Sequence, residues 1–353
     1  MSRLFGLDNT NRDFSAKESW GKNQFNSSFP ASLSCYLDSK SIHVNYIINS
    51  GSETQIVLRS FASLLGVDEG KLKDCRFDFE WPYDQYRAYC NNDDLPRTDL
   101  VISSSITSKQ IAGLEVKLTA LPDNTTCDLS DEEYGSEIVI RPDTIVYLAC
   151  SVAARLGGVL RDIDEFNNQS ISWQEHDITS DILESFSVAL SEAISLMEEQ
   201  DQTPFLLHPI WKTDGKSPAL CENCLDVFLW SDAAFVSMII DAARVQNFRG
   251  KITRQIRTLI WLFRMVRDIN LYGQMNHKSI IDELSYNTKN DKAFASSGMI
   301  TNRYMSCERL TVPIVTASEI KNIILDGGQF MLSPERRFDA VLTNAKGIFN
   351  ESS

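Results

Sequence analysis

The apolar residues of this chain change their spacing partway along it, and this change limits the folds that the chain can adopt. Between residues 42 and 120 they alternate with polar residues in several short runs, which is the period of a β-strand. From about residue 144 they recur every three to four residues, which is the period of an amphipathic helix. The sequence therefore predicts an α/β fold with a largely helical C-terminal half.

The bounds of the predicted elements follow from these runs and from residues that begin or end them. We expect strands over 42–48, 76–81, 98–103 and 113–120, the last two joined as a hairpin, and strand patterns also occur at 310–315 and 337–342. We expect helices over 53–65, 144–156, 181–199, 232–245 and 252–272. Two consecutive glycines, Gly157 and Gly158, are expected to end the helix that precedes them.

The composition is that of an ordinary globular protein, with 353 residues of which 43% are hydrophobic and 23% charged. No repeat or long linker divides the chain, so we expect one domain with three parts: a polar N-terminal segment (about 1–35), a core (about 36–160) and a helical elaboration (about 161–353). No apolar run approaches the roughly 20 residues that span a bilayer, and the N-terminus lacks the apolar centre of a secretory signal. We therefore expect a cytoplasmic protein without a membrane partner.

The eight cysteines are scattered without the spacing of a disulfide framework, so we expect free thiols. Cys221 and Cys224 form a single C-x-x-C pair with His208 nearby in the sequence. A structural zinc ion needs four ligands, and the sequence shows no fourth. Two buried thiols are therefore the better interpretation, and a zinc site is the alternative.

The run that carries chemistry is Leu114–Thr119, in which apolar and polar residues alternate strictly. Glu115 and Lys117 share one face of the predicted strand. Asp99 begins the preceding strand, and a hairpin can bring it beside Glu115. The two carboxylates, with the main-chain carbonyl of Val116, offer the hard oxygen ligands that Mg²⁺ prefers.

These residues suit the hydrolysis of a phosphodiester. A Mg²⁺ ion can neutralise charge at a phosphoryl group and lower the pKa of a bound water, and Lys117 would hold or deprotonate the attacking water. The alternative is that Glu115 and Lys117 form a solvated strand face and that Asp99 is a turn residue, because E-x-K triplets are common by chance.

The arrangement of Asp99 and Glu115-Val116-Lys117 resembles the PD-(D/E)xK nuclease core, with Thr98-Asp99 in place of the family's Pro-Asp. Residues 11–15, 20–30 and 115–123 together resemble the HindVP-like type II restriction endonucleases. The resemblance implies a restriction-endonuclease-like fold, in which helices flank a mixed central sheet. It also implies a Mg²⁺-dependent enzyme that cuts double-stranded DNA at a specific site. It also implies a homodimer, the site GRCGYC and a cognate DNA methyltransferase as a genetic partner, with Asp99 and Glu115 as metal ligands and Lys117 as the base that positions water.

Many nucleases of this fold add an acidic residue from a helix before the core. Glu53 lies at the start of the predicted helix over 53–65 and is our candidate for this catalytic role, with Glu80 as a competitor. For Glu53 the alternative is a helix-start residue favoured by the helix dipole, and for Glu80 a surface position on a strand.

The net charge of −14 argues against binding nucleic acid by overall charge. Residues 244–267, however, contain seven Arg and Lys and no Asp or Glu. Within this basic segment we expect phosphate contacts from Arg249, Lys251, Arg254 and Arg257, rather than from Arg264 and Arg267. The alternative is an amphipathic helix whose arginine stems lie over a core.

The polar N-terminal segment is a second candidate for DNA contacts, because amide and basic side chains can reach base edges and phosphates. We expect an irregular segment braced by aromatic residues, with four contact residues: Arg12, Lys22, Asn23 and Gln24.

Two other functions fit the same residues. One is a structure-selective or repair nuclease on the same core, and the other is a catalytically inactive DNA-binding protein that keeps the fold.

Overall fold

The computed structural model of the protein describes residues 20–50, 53–91, 94–117, 119–122, 138–167, 171–196, 201–213, 220–288, 294–296, 304 and 315–323. The strands in these residues are β1 (His43–Ser50), β2 (Glu53–Ser60), β3 (Cys75–Trp81), β4 (Thr98–Ser104), β5 (Gln110–Val116), β6 (Thr119–Pro122), β7 (Ile138–Ile140), β8 (Pro204–Thr213), β9 (Leu220–Ser231), β10 (Phe294–Ser296) and β11 (Val315–Thr316).

The helices are α1 (Trp20–Ser39), α2 (Phe61–Leu64), α3 (Pro142–Leu160), α4 (Asp164–Asn167), α5 (His176–Ser195), α6 (Asp232–Arg244), α7 (Arg254–Tyr272), α8 (His277–Glu283) and α9 (Ala317–Asn322). Short 3₁₀ turns cover Leu72–Asp74 and Asp84–Tyr89.

Nine of the strands form one mixed sheet. Its order is β2-β1-β9-β8-β5-β4-β3, with β6 added on β8 and β11 on β9. β1 pairs parallel with β9, and β5 and β6 pair parallel with β8, whereas the other pairs in this sheet are antiparallel. β7 and β10 form a separate two-stranded ribbon. The predicted mixed α/β fold is confirmed.

Both faces of the main sheet are covered, and the alternation along each strand assigns its residues to a face. On β4, Leu100 and Ile102 pack into a core with α1 and α2, whereas Val101 packs into the opposite core with α3, α5, α6 and α7. Asp99 is two residues from Val101 and therefore belongs to the face covered by α3. That face carries the candidate site.

Helix α3 is the central helix of the larger core and packs against α7. Its length and composition would allow it to cross a membrane, but 67% of the apolar stretch is buried inside the fold, as in a core helix. The helix was predicted to end at residue 156, but it continues to Leu160 and includes Gly157 and Gly158. Glycine costs roughly 1 kcal/mol in a helix interior, and packing of the preceding turns offsets this cost.

The predicted strands at 42–48, 76–81 and 98–103 are confirmed by β1, β3 and β4. The strand predicted at 113–120 is divided, since β5 ends at Val116 and β6 begins at Thr119. β4 and β5 form the expected antiparallel hairpin. The helices predicted over 181–199, 232–245 and 252–272 match α5, α6 and α7. Of the late strand patterns, β11 overlaps the first at Val315, and 337–342 lies outside the described residues.

The helix predicted over 53–65 is wrong, because Glu53–Ser60 is the edge strand β2 and only Phe61–Leu64 is helical. β2 pairs with β1 along its whole length, from Ser50 beside Glu53 to His43 beside Ser60. Only two residues, Gly51 and Ser52, connect the strands, and a two-residue connection containing glycine is typical of a hairpin.

Two long strands, β8 and β9, lie at the centre of the sheet although the sequence predicted no strand there. Both faces of a central strand are buried, so its residues do not alternate and the strand signal is lost. These strands come from residues 204–231, so the sheet is not completed within the predicted core range of 36–160. The N-terminal segment also differs from expectation, since residues 20–35 are helical in α1.

Candidate active site

The site is built on the hairpin of β4 and β5. Leu100 pairs with Leu114 and Val101 with Gly113, so Asp99 and Glu115 occupy opposite positions one step further along. The backbone N–H of Val116 donates to Asp99 Oδ2 at 2.8 Å. The hairpin thus brings the two predicted carboxylates to the same place, on the face covered by α3.

Lys117 completes the group and forms an ion pair with Glu115 through Nζ and Oε1. The two side chains are only 9% and 11% exposed. A second donor, Thr144 Oγ1 in the first turn of α3, reaches the same Glu115 oxygen at 3.0 Å. In the part of the chain that the structure describes, Glu115 Oε2 and Asp99 Oδ1 accept no hydrogen bond.

Several carboxyl groups lie close together in the site, and their negative charges repel one another. Burial, and after it the charge of Glu115, raises the pKa of Asp99 to about 7, against the opposing effects of Lys117 and the Val116 N–H. Burial and Glu115 also raise the pKa of Asp143 in the first turn of α3. A cation placed between these carboxylates would relieve their repulsion.

The donor set fits a hard cation such as Mg²⁺. No group of three or more His, Cys, Asp or Glu side chains in the described ranges is arranged to hold a metal. The ion would therefore rely on the free oxygens of Asp99 and Glu115, with the Val116 carbonyl as a third ligand and water at the remaining positions. Mg²⁺ binds in this way, because it retains several waters and takes few protein ligands.

Lys117 lies in the chain between β5 and β6. Both strands pair with β8 in the same register, so the position of Lys117 beside β8 can be read from their pairs. Glu115 pairs with Leu206 and Thr119 with Ile210, which places Lys117 beside His208. Burial, and secondarily the charge of Lys117, lowers the pKa of His208 to about 3. The imidazole is therefore neutral near pH 7. His208 thus adds no positive charge next to Lys117.

The structure does not bring Glu53 to this group, contrary to our expectation. Three strands, β1, β9 and β8, lie between β2 and β5, a separation of roughly 19 Å at about 4.8 Å per strand. The expectation depended on a helix at 53–65, and that segment is instead the edge of the sheet.

Glu80 is the nearer acidic residue. It faces Asp99 across β3 and β4, between the pairs Phe79–Leu100 and Trp81–Thr98, and its charge contributes to the raised pKa of Asp99. Its backbone φ of 47° lies in the left-handed region that non-glycine residues rarely adopt. Such strain is often found at functional sites.

Of the basic residues predicted to contact DNA, Arg257 is contradicted by the structure. Its side chain is fully buried, hydrogen-bonds Thr288 Oγ1 and lies 4.4 Å from the ring centre of Trp261. Arg257 therefore belongs to the core and cannot reach a phosphate in this structure. The reason is its position in α7 on the face that packs into the larger core.

The other predicted phosphate contacts lie at or near the surface. Arg249 and Lys251 are exposed between α6 and α7, and Arg254 is half-buried at the start of α7. Arg264 and Arg267, which we had set aside, pair with Asp268 and lie over Trp173. The predicted contact surface therefore reduces to Arg249, Lys251 and Arg254.

In the N-terminal segment, Arg12 lies outside the described residues. Lys22, Asn23 and Gln24 lie in the first turns of α1 rather than in irregular structure. Their role in DNA contact stays a prediction.

The C-x-x-C pair shows no zinc site in the described residues. Cys224 is buried in β9, and its Sγ contacts the Val315 carbonyl. His208 pairs with Phe228, four residues further along β9, which corresponds to roughly 13 Å at about 3.3 Å per residue. His208 and Cys224 are therefore too far apart to share an ion.

Sequence reasoning missed Thr144 and Asp143. Both lie in the first turn of α3, about 30 positions after Glu115 in the chain, and nothing in their local pattern marks them. A Pro-Asp-Thr run at the start of a buried helix is the one available signal, since it predicts where the helix begins.

The comparisons with known proteins agree with one another. A family model described as HindVP restriction endonuclease matches residues 20–349. The chain is 48% identical over 350 residues to the probable type II restriction enzyme HindVP of Haemophilus influenzae, covering 98% of this chain and 94% of the relative. It is 40% identical over 354 residues to the type II restriction enzyme HgiDI of Herpetosiphon aurantiacus, covering 99% of this chain and 97% of the relative.

No solved structure matches the chain. The family match covers the hairpin that brings Asp99, Glu115 and Lys117 together, as well as β8 and β9 beside it. The chain belongs to the HindVP restriction endonuclease family.

Proposed function

We propose that this protein is a type II restriction endonuclease, which hydrolyses phosphodiester bonds of double-stranded DNA at a specific site and depends on Mg²⁺. The observation that carries the proposal is the convergence of Asp99, Glu115 and Lys117 in a chain of this family. The names of the two relatives, both type II restriction enzymes, support the same activity.

Each residue has a distinct role in the proposed reaction. Asp99 and Glu115 would hold Mg²⁺ with their free oxygens, and Val116 with its carbonyl. When bound, the ion supplies charge neutralisation at the scissile phosphate and activation of water. Lys117 orients the attacking water and places a positive charge next to the reacting phosphate.

Burial makes Lys117 a precise positioning group. Its Nζ is held by Glu115, and its backbone N–H donates to the Leu207 carbonyl at 3.0 Å. Both ends of the residue are therefore fixed, which reduces the entropy lost when a water is held for attack.

The resemblance to HindVP-like enzymes extends the proposal to the site GRCGYC and to a homodimer that acts on this palindrome. A two-fold symmetric enzyme matches the symmetry of such a site. A methyltransferase that modifies the same site would protect the host DNA.

The first experiment is a digest of unmodified plasmid DNA with the protein and Mg²⁺, followed by sequencing of the ends. Discrete bands whose ends fall at GRCGYC are expected. Discrete bands whose ends fall at other sequences would support a site-specific endonuclease but refute GRCGYC as its recognition site. A smear, or cleavage confined to junctions, would favour a structure-selective nuclease, and no cleavage would favour a DNA-binding protein without activity.

The second experiment tests the assignment of the residues. Lys117→Ala is expected to lose cleavage by at least about 10²-fold while retaining DNA binding. Lys109→Ala is a matched control, because Lys109 is exposed in the loop of the same hairpin. Because Lys117→Ala leaves Glu115 without its ion pair, thermal denaturation must show that the variant is folded. Full cleavage by a folded Lys117→Ala protein would refute the assignment.

A further inference from the structure

One oxygen of Glu115 receives both of the donors that hold this side chain. Lys117 Nζ and Thr144 Oγ1 each contact Oε1, the latter at 3.0 Å. With Oε1 occupied by these two donors, rotation of the carboxylate would break both contacts. The plane of the carboxylate is therefore set by two groups from different elements, β5 and α3.

Thr144 itself has little freedom to move. It is fully buried in the first turn of α3, directly after Pro142 and Asp143. Helix α3 is anchored in the larger core, where the next residues of the helix, Ile145 and Val146, are also fully buried. The position of the Thr144 hydroxyl is thus fixed by the packing of the helix.

A buried hydroxyl that donates to a carboxylate acts differently from one that only satisfies its own backbone. Thr258 in α7 is the contrast, since it is also fully buried but donates to the Arg254 carbonyl of its own helix at 2.8 Å. The Thr144 hydroxyl joins two elements, and the oxygen that it contacts belongs to a proposed metal ligand.

We propose that Thr144 is a positioning residue for the metal site, which with Lys117 fixes Glu115 Oε1 so that Oε2 is left free to bind the divalent cation. This inference rests on the proposed function, because it assumes that Glu115 is a metal ligand. It predicts that loss of the Thr144 hydroxyl weakens metal binding more than it slows cleavage at saturating metal.

The test compares three variants of the full-length protein. Thr144→Val removes the hydroxyl with little change of shape, Thr144→Ser keeps the hydroxyl, and Thr258→Val removes an equally buried hydroxyl away from Glu115. Binding is measured with Mn²⁺ alone, from the loss of the free-ion signal in electron paramagnetic resonance. The Mg²⁺ concentration that gives half-maximal cleavage and the melting temperature are measured in parallel.

Thr144→Val is expected to raise the Mn²⁺ dissociation constant and the half-saturating Mg²⁺ concentration by about tenfold, the effect of losing one hydrogen bond to a charged group. The cleavage rate at saturating Mg²⁺ should fall by less. Thr144→Ser should remain within about twofold of the wild type in both metal measurements, since it retains the donor. Thr258→Val should lower the melting temperature without changing either metal measurement.

Two outcomes would overturn the inference. If Thr144→Val lowers the melting temperature but leaves both metal measurements unchanged, the residue is structural only, while the proposed function stands. If the wild-type protein binds no Mn²⁺ and cleaves without Mg²⁺, the metal site itself is wrong and the inference fails with it.

Discussion

Arg257 is a basic residue whose side chain packs in the core and does not reach the surface. It contacts Trp261 and Thr288, and most of the other residues that α7 buries are apolar. Its guanidinium stacks on an aromatic ring, which stabilises the charge inside the protein. Lys251, six positions earlier, is exposed.

Arg257→Ala and Lys251→Ala should therefore affect different properties, the first stability and the second DNA binding. Arg257→Ala is expected to lower the free energy of unfolding by about 2–4 kcal/mol, because it removes a packed buried side chain. It should leave the salt dependence of DNA binding unchanged. Lys251→Ala should leave stability within about 0.5 kcal/mol and reduce the salt slope of DNA binding by about 1 if the residue contacts a phosphate.

Urea denaturation and DNA binding at several salt concentrations check both parts. A reduced salt slope for folded Arg257→Ala would show that Arg257 contributes to DNA binding. An unchanged slope for Lys251→Ala would remove Lys251 from it.

At the scale of single residues, the sequence could predict the core of the candidate site but not what surrounds it. Glu115 and Lys117 share a strand, and strand alternation alone puts them on one face. Thr144 could not be predicted, because its contact with Glu115 depends on where a helix packs. The sequence named Glu80 only as a competitor to Glu53, because it does not show the backbone angle and strand pairing that place Glu80 near Asp99. For Arg257 the sequence supported both a phosphate contact and a core position, and only packing distinguishes them.

At the scale of elements, β1 and β9 are linked by a buried carboxyl group. Asn45 Nδ2 donates to Asp226 Oδ1 at 2.7 Å, as does the Val227 N–H at 2.8 Å. Burial nevertheless raises the pKa of Asp226 to about 6 from an ordinary value of 3.8, because it outweighs these two donors. The folded protein therefore binds this proton more tightly than the unfolded chain.

This shift gives a pH dependence with a definite sign. The stabilising contribution of Asp226 is fully present below about pH 4 and is lost as the pH rises through about 6. Asp226→Asn should therefore weaken the decline of unfolding free energy between pH 4.5 and 7.5, by on the order of 2 kcal/mol. Urea denaturation at the two pH values measures this difference. Parallel losses in the two proteins would contradict the assignment.

The glycines of α3 offer a test of helix propensity. Gly157 and Gly158 lie within the helix, and a Cβ added to either meets no atom within 4 Å. Gly157→Ala is expected to raise the free energy of unfolding by roughly 0.5–1 kcal/mol, because alanine loses less conformational entropy in a helix. Thermal or urea denaturation checks this value.

Gly113 on β5 is the matched control for that substitution. A Cβ at this position would lie 2.9 Å from Tyr83 Cβ, closer than packed carbon atoms can approach. Gly113→Ala should therefore destabilise the protein. Equal effects of the two substitutions would show that local space does not decide their outcome.

The elements that the sequence could predict were those with a recognisable strand run or a clear helical period. β1, β3 and β5 alternate wholly or in part, β4 is a short apolar run directly after Asp99, and α5, α6 and α7 have apolar stripes. β8 and β9 are buried on both faces and lack either signal. β2 was mistaken for a helix because three consecutive apolar residues, 56–58, fit either period.

At the scale of the whole molecule, the sheet is completed by strands that are distant in sequence from its other strands. β9 joins the β1–β2 hairpin on one side and β8 on the other, and β8 then joins β5. Without residues 204–231, the strands of the first half would form two unconnected groups. The predicted core of 36–160 therefore does not contain a complete sheet.

A fragment of residues 1–160 is expected to show no cooperative unfolding transition, whereas the full chain should show one. The fragment would expose the faces of β1 and β5 that β9 and β8 cover, and exposed strand edges favour aggregation. Circular dichroism during urea denaturation distinguishes the two cases. A sharp transition in the fragment would show that the first half folds independently.

Helix α3 contributes both to the largest core and, through Thr144, to the candidate catalytic group. A core substitution that slides this helix by a fraction of an ångström would also displace the donor to Glu115. Selection for greater heat resistance in α3 should therefore lower the affinity for the proposed metal ion. Libraries that seek a more robust enzyme would do better to vary positions at the sheet edge β2, which is separated from β5 by three strands.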